Sequence, residues 1–230
     1  MKKIVITGAL GYIGTELCKL YSGFSWKYEV VAIDNRFISE RVNELKRRKI
    51  KFVQADILNL NEIKTFIKEA EIVHHLAGIT DVAYVKKDSN PDQDEKIKKV
   101  AVEGTENILK SMNENATIVF PSTHVVFEGL KTPKKDIDEN QETSTFLAYS
   151  TSKVVNEKQI ISSGKKYAIF RLGSVYGFST DTMRINIMPN LFSKIASQNG
   201  KIKLFGGGKQ LKSLVPLIDV ARCFKFVEES

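Results

Sequence analysis

The sequence predicts an α/β fold built on a doubly wound parallel sheet. Short β-rich runs alternate with helical patterns from the start, the links between them are short, and the first run ends in a glycine-rich turn that opens a helix. In order, Lys3–Thr7 reads as a strand, because its apolar run stops at Gly8 and is too short for an export signal despite the Met1-Lys2-Lys3 start. Tyr12–Leu20 follows as a helix and Val30–Ile33 as a second strand. Ile38–Arg48 is a polar helix, Phe52–Val53 a short third strand and Asn61–Glu69 a helix. Ile72–Leu76 is a fourth strand. Ile97–Met112 reads as a helix from apolar residues at Ile97, Val100, Ile108 and Met112. Thr117–Pro121, the helix Ala148–Ile161 and the strand Tyr167–Leu172 complete the alternation, which implies right-handed crossovers.

The pattern changes after Gly173. Met188–Gln198 looks helical, Gly206-Gly207-Gly208 marks a turn, Leu214–Leu217 reads as a strand and Asp219–Val227 as a closing helix. Asp88–Asp94 and Lys131–Ser144 are polar, proline-containing loops, the second long enough to border an active site.

A chain of 230 residues, 42% hydrophobic and 27% charged, suits one α/β domain and part of a second. No apolar run has the length of a membrane span. Cys18 and Cys223 lack metal-ligand spacing and sit in apolar helical patterns, so both are expected as buried free thiols in a reducing cytoplasm. The net charge of +8 favours anionic substrates only weakly. The basic run Lys46-Arg47-Arg48-Lys49, with Lys51, has no interleaved aromatics and is expected as a solvated face, not a nucleic-acid surface. His74 and His75 are neighbours in a strand and point to opposite faces, so they form no metal pair. No metal is expected.

Thr7-Gly8-Ala9-Leu10-Gly11-Tyr12-Ile13-Gly14 carries the first chemistry. Its glycines allow a tight turn, a close backbone approach to a pyrophosphate and close helix packing, and the helix N-terminus faces the anion. An acid, Asp34, ends the second strand about 20 residues on, where a carboxylate accepts ribose hydroxyls and repels a 2′-phosphate. NAD is therefore favoured over NADP, although the adjacent Arg36 is a residue type that serves a 2′-phosphate. These features define a Rossmann-type sheet.

Tyr149 and Lys153 stand four apart and share one face of a helix. A free tyrosine has a pKa of about 10, too high for a good base at neutral pH. A nearby ammonium favours the phenolate, and Lys153 can also hold the nicotinamide ribose.

These residues resemble the extended short-chain dehydrogenases/reductases, and within them the NAD-dependent nucleotide-sugar epimerase/dehydratase family of UDP-glucose 4-epimerase-like type. The resemblance runs from Lys3 to about Ala221. Ile33-Asp34-Asn35 looks like the epimerase form of the second strand end, and Asp56, with Ile57 beside it, matches the aspartate that meets the adenine. His75-Leu76-Ala77-Gly78 resembles the segment beside the cofactor, and Gly104-Thr105-x-Asn107 a family helix motif. Ser122-Thr123-His124-Val125-Val126-Phe127 and Arg171-Leu172-Gly173-Ser174-Val175-Tyr176-Gly177 resemble two more segments. The resemblance implies Thr123, Tyr149 and Lys153 as catalytic residues. It implies NAD held by Gly8, Leu10, Gly11, Tyr12, Ile13, Gly14, Asp34, Asn35, Asp56, Ile57, Leu76, Ala77, Gly78, Tyr149 and Lys153, and substrate held by Thr123, Ser174 and Lys212.

Some positions depart from the family pattern. Ala101 and Ser174 replace asparagines, and Lys212 replaces an arginine, so the bidentate contact to a diphosphate is lost. Residues 1–173 are expected to form mainly the NAD-binding domain. Residues 174–230 are expected to form a partial substrate lobe interleaved with the last sheet elements, because the family usually extends about a hundred residues further. His124 and Val125 stand where dehydratases carry an acidic pair, which disfavours water loss. The expected reaction is epimerisation of a nucleotide-diphosphate sugar through a transient keto-sugar. The alternatives are an NAD(P)-dependent reductase or dehydratase of the same family, or a non-catalytic NAD-binding protein. The expected partner is the nucleotide-sugar, without nucleic acid or membrane, and a homodimer is the oligomer this reading admits.

Overall fold

The computed structural model describes residues 1–80, 90–132, 134–180 and 182–229. Its main sheet has six strands: β1 (Lys2–Thr7), β2 (Tyr28–Asp34), β3 (Lys51–Gln54), β4 (Ile72–His75), β5 (Thr117–Thr123) and β6 (Lys166–Leu172). They lie in the order β3-β2-β1-β4-β5-β6, and every pairing is parallel. The order reverses between β1 and β4, which opens a crevice at the carboxyl ends of the strands. The helices are α1 (Tyr12–Ser22), α2 (Ser39–Arg47), α3 (Leu60–Lys68), α4 (Pro91–Ser111), α5 (Ala148–Ser162), α6 (Met188–Ser197) and α7 (Leu217–Phe226). A separate parallel pair joins β7 (Ser174–Tyr176) to β8 (Leu214–Pro216).

The fold is the doubly wound α/β architecture expected from the sequence. Along β1, Ile4 and Ile6 pack in one layer with Leu17 and Tyr21 of α1 and Phe224 of α7. Val5 points the other way, into a layer with Ile63 and Ile67 of α3, Ile108 of α4 and Ile160 of α5. Continuous β-branched strands thus cover both faces, as a buried parallel sheet requires. Among the described residues, no helix is long and apolar enough to cross a membrane.

α7 closes the first layer. Its Phe224 ring lies 5.2 Å from Phe170 and stacks on His74 at 6.3 Å. Just beyond α7, the fully buried Glu228 carboxylate pairs with Lys27 at 3.2 Å and with Lys2 and Lys225 at 3.4 Å each. The far end of the chain is therefore clasped to the first strand.

Three expectations change. Asp88–Asp94 is not wholly loop: Asn90 accepts hydrogen bonds from the Asp92 and Gln93 amides, and Pro91 starts α4. An asparagine cap followed by proline is a helix start, and it outweighs the polar composition. Asp88 and Ser89 lie outside the described residues. Cys18 is buried as expected, but Cys223 is exposed, because α7 turns Val220, Ala221 and Phe224 inward and leaves Cys223 on its outer face. The strand β7 directly after Gly173 was not legible, since its three residues carry no pattern of their own.

His74 and His75 do face opposite layers. His74 meets the Tyr21 hydroxyl through Nε2 at 2.8 Å, and its Nδ1 has no hydrogen-bond partner. His75 lies between the Thr7 and Thr105 hydroxyls, each at 3.0 Å. Burial pushes both rings down from 6.5 to about 3, helped at His75 by the charge of Lys153. The folded chain thus holds neutral rings where the unfolded chain takes up protons. This contribution is complete above pH 6.5 and is lost as pH falls from 6.5 toward 3. Urea unfolding at pH 5 is expected to show a loss of about 2 kcal/mol per ring relative to pH 7. A stability unchanged between those two values would contradict the assignment.

Candidate active site

The glycine turn sits at the switch point after β1. Gly8 has φ 66°, and a Cβ there would lie 2.7 Å from the Ala77 amide nitrogen. A Cβ on Gly14 would overlap the Gly8 carbonyl oxygen and sit 2.8 Å from the Ala9 Cα. Both glycines are therefore dictated by backbone packing. Gly11 differs: its Cβ would meet only the Gly8 oxygen, at 3.1 Å, so its outer face is open. No side chain caps the N-terminus of α1 at Gly11. The first-turn amides of Tyr12, Ile13 and Gly14 are thus left for an external anion. Opposite them, Leu76 and Ala77 are tied to Thr7, and a Cβ on Gly78 would meet open space. This cradle fits the pyrophosphate of a dinucleotide.

At the end of β2 the buried Asp34 carboxylate accepts the Leu10 amide at 3.0 Å, which locks it against the glycine turn. It also carries Arg36, whose Nε reaches Oδ1 at 3.0 Å. Asn35 donates to the Asp56 carboxylate at 3.3 Å, so these two expected adenine-side residues adjoin. Asp56 in turn takes the Leu58 amide at 2.9 Å. Ile57 packs where a Cβ on Gly104 would stand, and Asn107 donates to the Ile57 and Leu58 carbonyls at 2.9 and 3.2 Å. The Gly-Thr-x-Asn helix motif thus holds the β3–α3 turn and, through Thr105, the His75 ring.

The second half of the site lies at the end of β5. Thr123 closes the strand and its hydroxyl oxygen accepts the Val125 amide at 3.2 Å. Tyr149, in the first turn of α5, has the Thr123 hydroxyl as a neighbour of its phenol. The residue keeps a partly exposed edge, but its phenol end is buried, and burial pushes its pKa above 10. The positive charge of Arg184 and the nearby Thr123 hydroxyl oppose that shift. The expected lowering by Lys153 is not what the structure shows. The Lys153 ammonium points to the Pro121 carbonyl at 2.7 Å and lies 4.3 Å from the Phe120 ring centre but 5.9 Å from that of Tyr149. Burial lowers Lys153 to about 8, and the Glu157 carboxylate works against this.

Sequence reasoning missed three supports of this constellation. Glu157, one further turn along α5, accepts Arg171 at 3.1 and 2.8 Å and also the Ser122 hydroxyl. Its position four residues after Lys153 was a readable signal. Glu128 accepts the Phe146 and Leu147 amides at 3.1 and 2.9 Å and the Ser150 hydroxyl, so it caps the helix that carries Tyr149. Asn190 is buried in α6. It accepts the Gly177 amide at 3.0 Å and donates to the Arg184 carbonyl at 3.0 Å, while Tyr12 donates to the Gly177 carbonyl at 2.5 Å. The glycine helix is thereby tied to the segment that supplies Arg184. No sequence pattern announced Glu128 or Asn190.

The remaining expected residues are peripheral to the Thr123–Tyr149 pair. Ser174 lies in β7, with its amide on the Ser213 carbonyl at 2.8 Å, which brings the exposed Lys212 segment alongside. His124 donates Nδ1 to the Leu172 carbonyl at 2.9 Å and is a structural residue in this arrangement. Lys46, Arg47, Lys49 and Lys51 are exposed, and Arg48 is half-buried and paired with Glu44 at 2.7 Å.

A profile of the NAD dependent epimerase/dehydratase family matches residues 4–230. A putative UDP-glucose 4-epimerase of Methanocaldococcus jannaschii is 31% identical over 227 residues, covering 95% of this chain and 71% of that protein. Among solved structures, a UDP-glucuronic acid 4-epimerase from Bacillus cereus, in complex with UDP-glucuronic acid and NAD, has a TM-score of 0.82 at 22% identity. That match covers 99% of this chain and 73% of the other. A UDP-glucose 4-epimerase from Thermotoga maritima, with UDP-glucose, has a TM-score of 0.82 at 21% identity and the same two coverages, 99% and 73%.

Proposed function

Since the chain belongs to the NAD dependent epimerase/dehydratase family, we propose that it is an NAD-dependent epimerase of a nucleotide-diphosphate sugar, with Tyr149 as its acid/base. The observation that carries this reading is the Thr123 hydroxyl beside the Tyr149 phenol, with the Lys153 ammonium 5.9 Å from the Tyr149 ring centre. Residues 1–173 hold the dinucleotide on Gly8, Leu10, Gly11, Tyr12, Ile13, Gly14, Asp34, Asn35, Asp56, Ile57, Leu76, Ala77 and Gly78. Residues 174–230 contribute Ser174 and Lys212 to the sugar nucleotide. A cytoplasmic setting suits this chemistry.

Thr123 donates a hydrogen bond to the sugar hydroxyl oxygen and aligns it on the Tyr149 phenol. Tyr149, as phenolate, takes the hydroxyl proton and later returns it to the keto oxygen. When bound on the glycine turn and Asp34, NAD would supply the reversible two-electron acceptor for the carbon that bears this hydroxyl. Burial alone holds the phenol protonated, so cations must tip it toward the phenolate. Arg184 offsets part of the burial, and Lys153 adds to it when its ammonium turns from Pro121 toward the tyrosine. Dehydration is the weaker reading. Val125 exchanges no proton, and His124 is committed to the Leu172 carbonyl.

The test is incubation of the protein with NAD and a panel of UDP-, ADP- and CDP-sugars, read by proton NMR for a new epimer. Appearance of a dehydrated product, or NAD binding without turnover of any sugar, would sink the epimerase reading. In the same assay Lys212→Glu is expected to weaken sugar-nucleotide binding by about tenfold and leave NAD affinity unchanged, whereas Lys212→Arg preserves or strengthens it. Indifference to the charge reversal would make Lys212 an ordinary surface lysine.

A further inference from the structure

The Asp34 carboxylate has no acceptor position to spare. A carboxylate offers about four lone-pair sites, two on each oxygen. Oδ1 takes the Arg36 amide at 3.1 Å and Arg36 Nε at 3.0 Å. Oδ2 takes the Leu10 amide at 3.0 Å and Arg36 Nη2 at 3.3 Å. The two backbone donors fix the carboxylate against the glycine turn and leave its outer edge for a ligand. The guanidinium fork fills that outer edge. The Arg36 side chain is 55% exposed while that of Asp34 is 3% exposed, so the fork is a removable cover on a buried acceptor.

We infer that Arg36 sets the dinucleotide preference of this site by competing with the adenosine ribose for the Asp34 carboxylate. The inference rests on the NAD reading above and adds a residue that decides specificity. A ribose diol needs two acceptor positions, and both become free only when the fork swings out. Binding therefore proceeds from the fraction of molecules in which Asp34 is uncovered, and the apparent affinity is reduced by that fraction. The displaced guanidinium then stands at the edge of the ribose. For NAD it returns to solvent. For NADP it meets the 2′-phosphate, with which a planar fork pairs well, but the buried Asp34 charge repels the same group. Arg36 thus weakens NAD binding and strengthens NADP binding, while Asp34 does the reverse. Asp34 prevails because it is buried and fixed.

The test is calorimetry with NAD and with NADP on nucleotide-free protein and four variants. Arg36→Ala is expected to bind NAD ~3–10-fold more tightly, because the self-competition is gone, and to bind NADP more weakly still than the parent. Arg36→Lys, which makes no fork, should fall between. Asp34→Asn ends the ion pair and releases Arg36, so NAD binding weakens while NADP binding strengthens. The double variant Asp34→Asn with Arg36→Ala should lose that gain. Weaker NAD binding by Arg36→Ala would show a direct contact in place of a competitor and overturn the inference. Unchanged affinities for both dinucleotides in Arg36→Ala would overturn it equally. If the parent protein binds neither dinucleotide, the NAD reading itself fails and the competition falls with it.

Discussion

Tyr149→Phe is expected to lower epimer formation by about 10²–10⁴-fold while leaving NAD affinity within about twofold of the parent. The ring that packs in the first turn of α5 remains, and only the hydroxyl is lost. The effect should fall on kcat rather than KM, because the proton transfer occurs in the reaction and not on binding. Lys153→Ala is the informative companion. The Lys153 ammonium is bonded to Pro121 and lies over the Phe120 ring, and on the proposed reading it also holds ribose. Its loss should therefore damage both NAD binding and turnover. Proton NMR of the sugar and calorimetry with NAD separate the two variants. An active Tyr149→Phe protein would end the proposed mechanism outright.

Gly14→Ala is expected to cost about 3 kcal/mol of stability, at the upper end of overpacking effects. The added methyl would overlap the Gly8 carbonyl and approach the Ala9 Cα to 2.8 Å. Both are backbone of the glycine turn, so no flexible side chain can yield. For a chain of this size, thermal unfolding should shift down by about 6–12 °C. Displacing the Gly8 carbonyl also moves the turn that faces the pyrophosphate, so NAD binding should fall by at least about tenfold. Gly11→Ala supplies the contrast. Its methyl meets only one atom, at 3.1 Å, and points to the open side. It should lose NAD affinity with much less change in melting temperature. Equal melting temperatures for Gly14→Ala and the parent would refute the packing argument.

Much of this was legible in the sequence because it is local. The β-branched runs, the glycine spacing and the acid closing the second strand each follow from the conformation of a few neighbouring residues. The Tyr149–Lys153 spacing is legible for the same reason, whereas Thr123 was reached only through the resemblance of its segment to the family. What escaped depends on where separate segments meet. Glu128 reaches forward to cap α5, and Asn190 joins α6 to the glycine helix, contacts between residues distant in the chain. The direction of the Lys153 ammonium was also out of reach. Spacing puts it on the Tyr149 face, but the Pro121 carbonyl that draws it away belongs to another element. The start of α4 was a different kind of miss: the asparagine–proline signal was present, and polar composition obscured it.

The ion pairs of Glu228 with Lys2 and Lys27 join residues 226 and 201 positions apart, so the roof over the first layer closes only after both segments have been made. The first strand leaves the ribosome long before the helix that roofs its layer. Until Phe224 arrives, Ile4, Ile6, Leu17 and Tyr21 lack part of their cover. Contacts of such high sequence separation slow folding and leave apolar surface open to association in the meantime. The nascent chain is thus a natural client for chaperones until α7 emerges, and a ribosome stalled before residue 217 holds a chain whose first β-strand lacks the Phe224 roof.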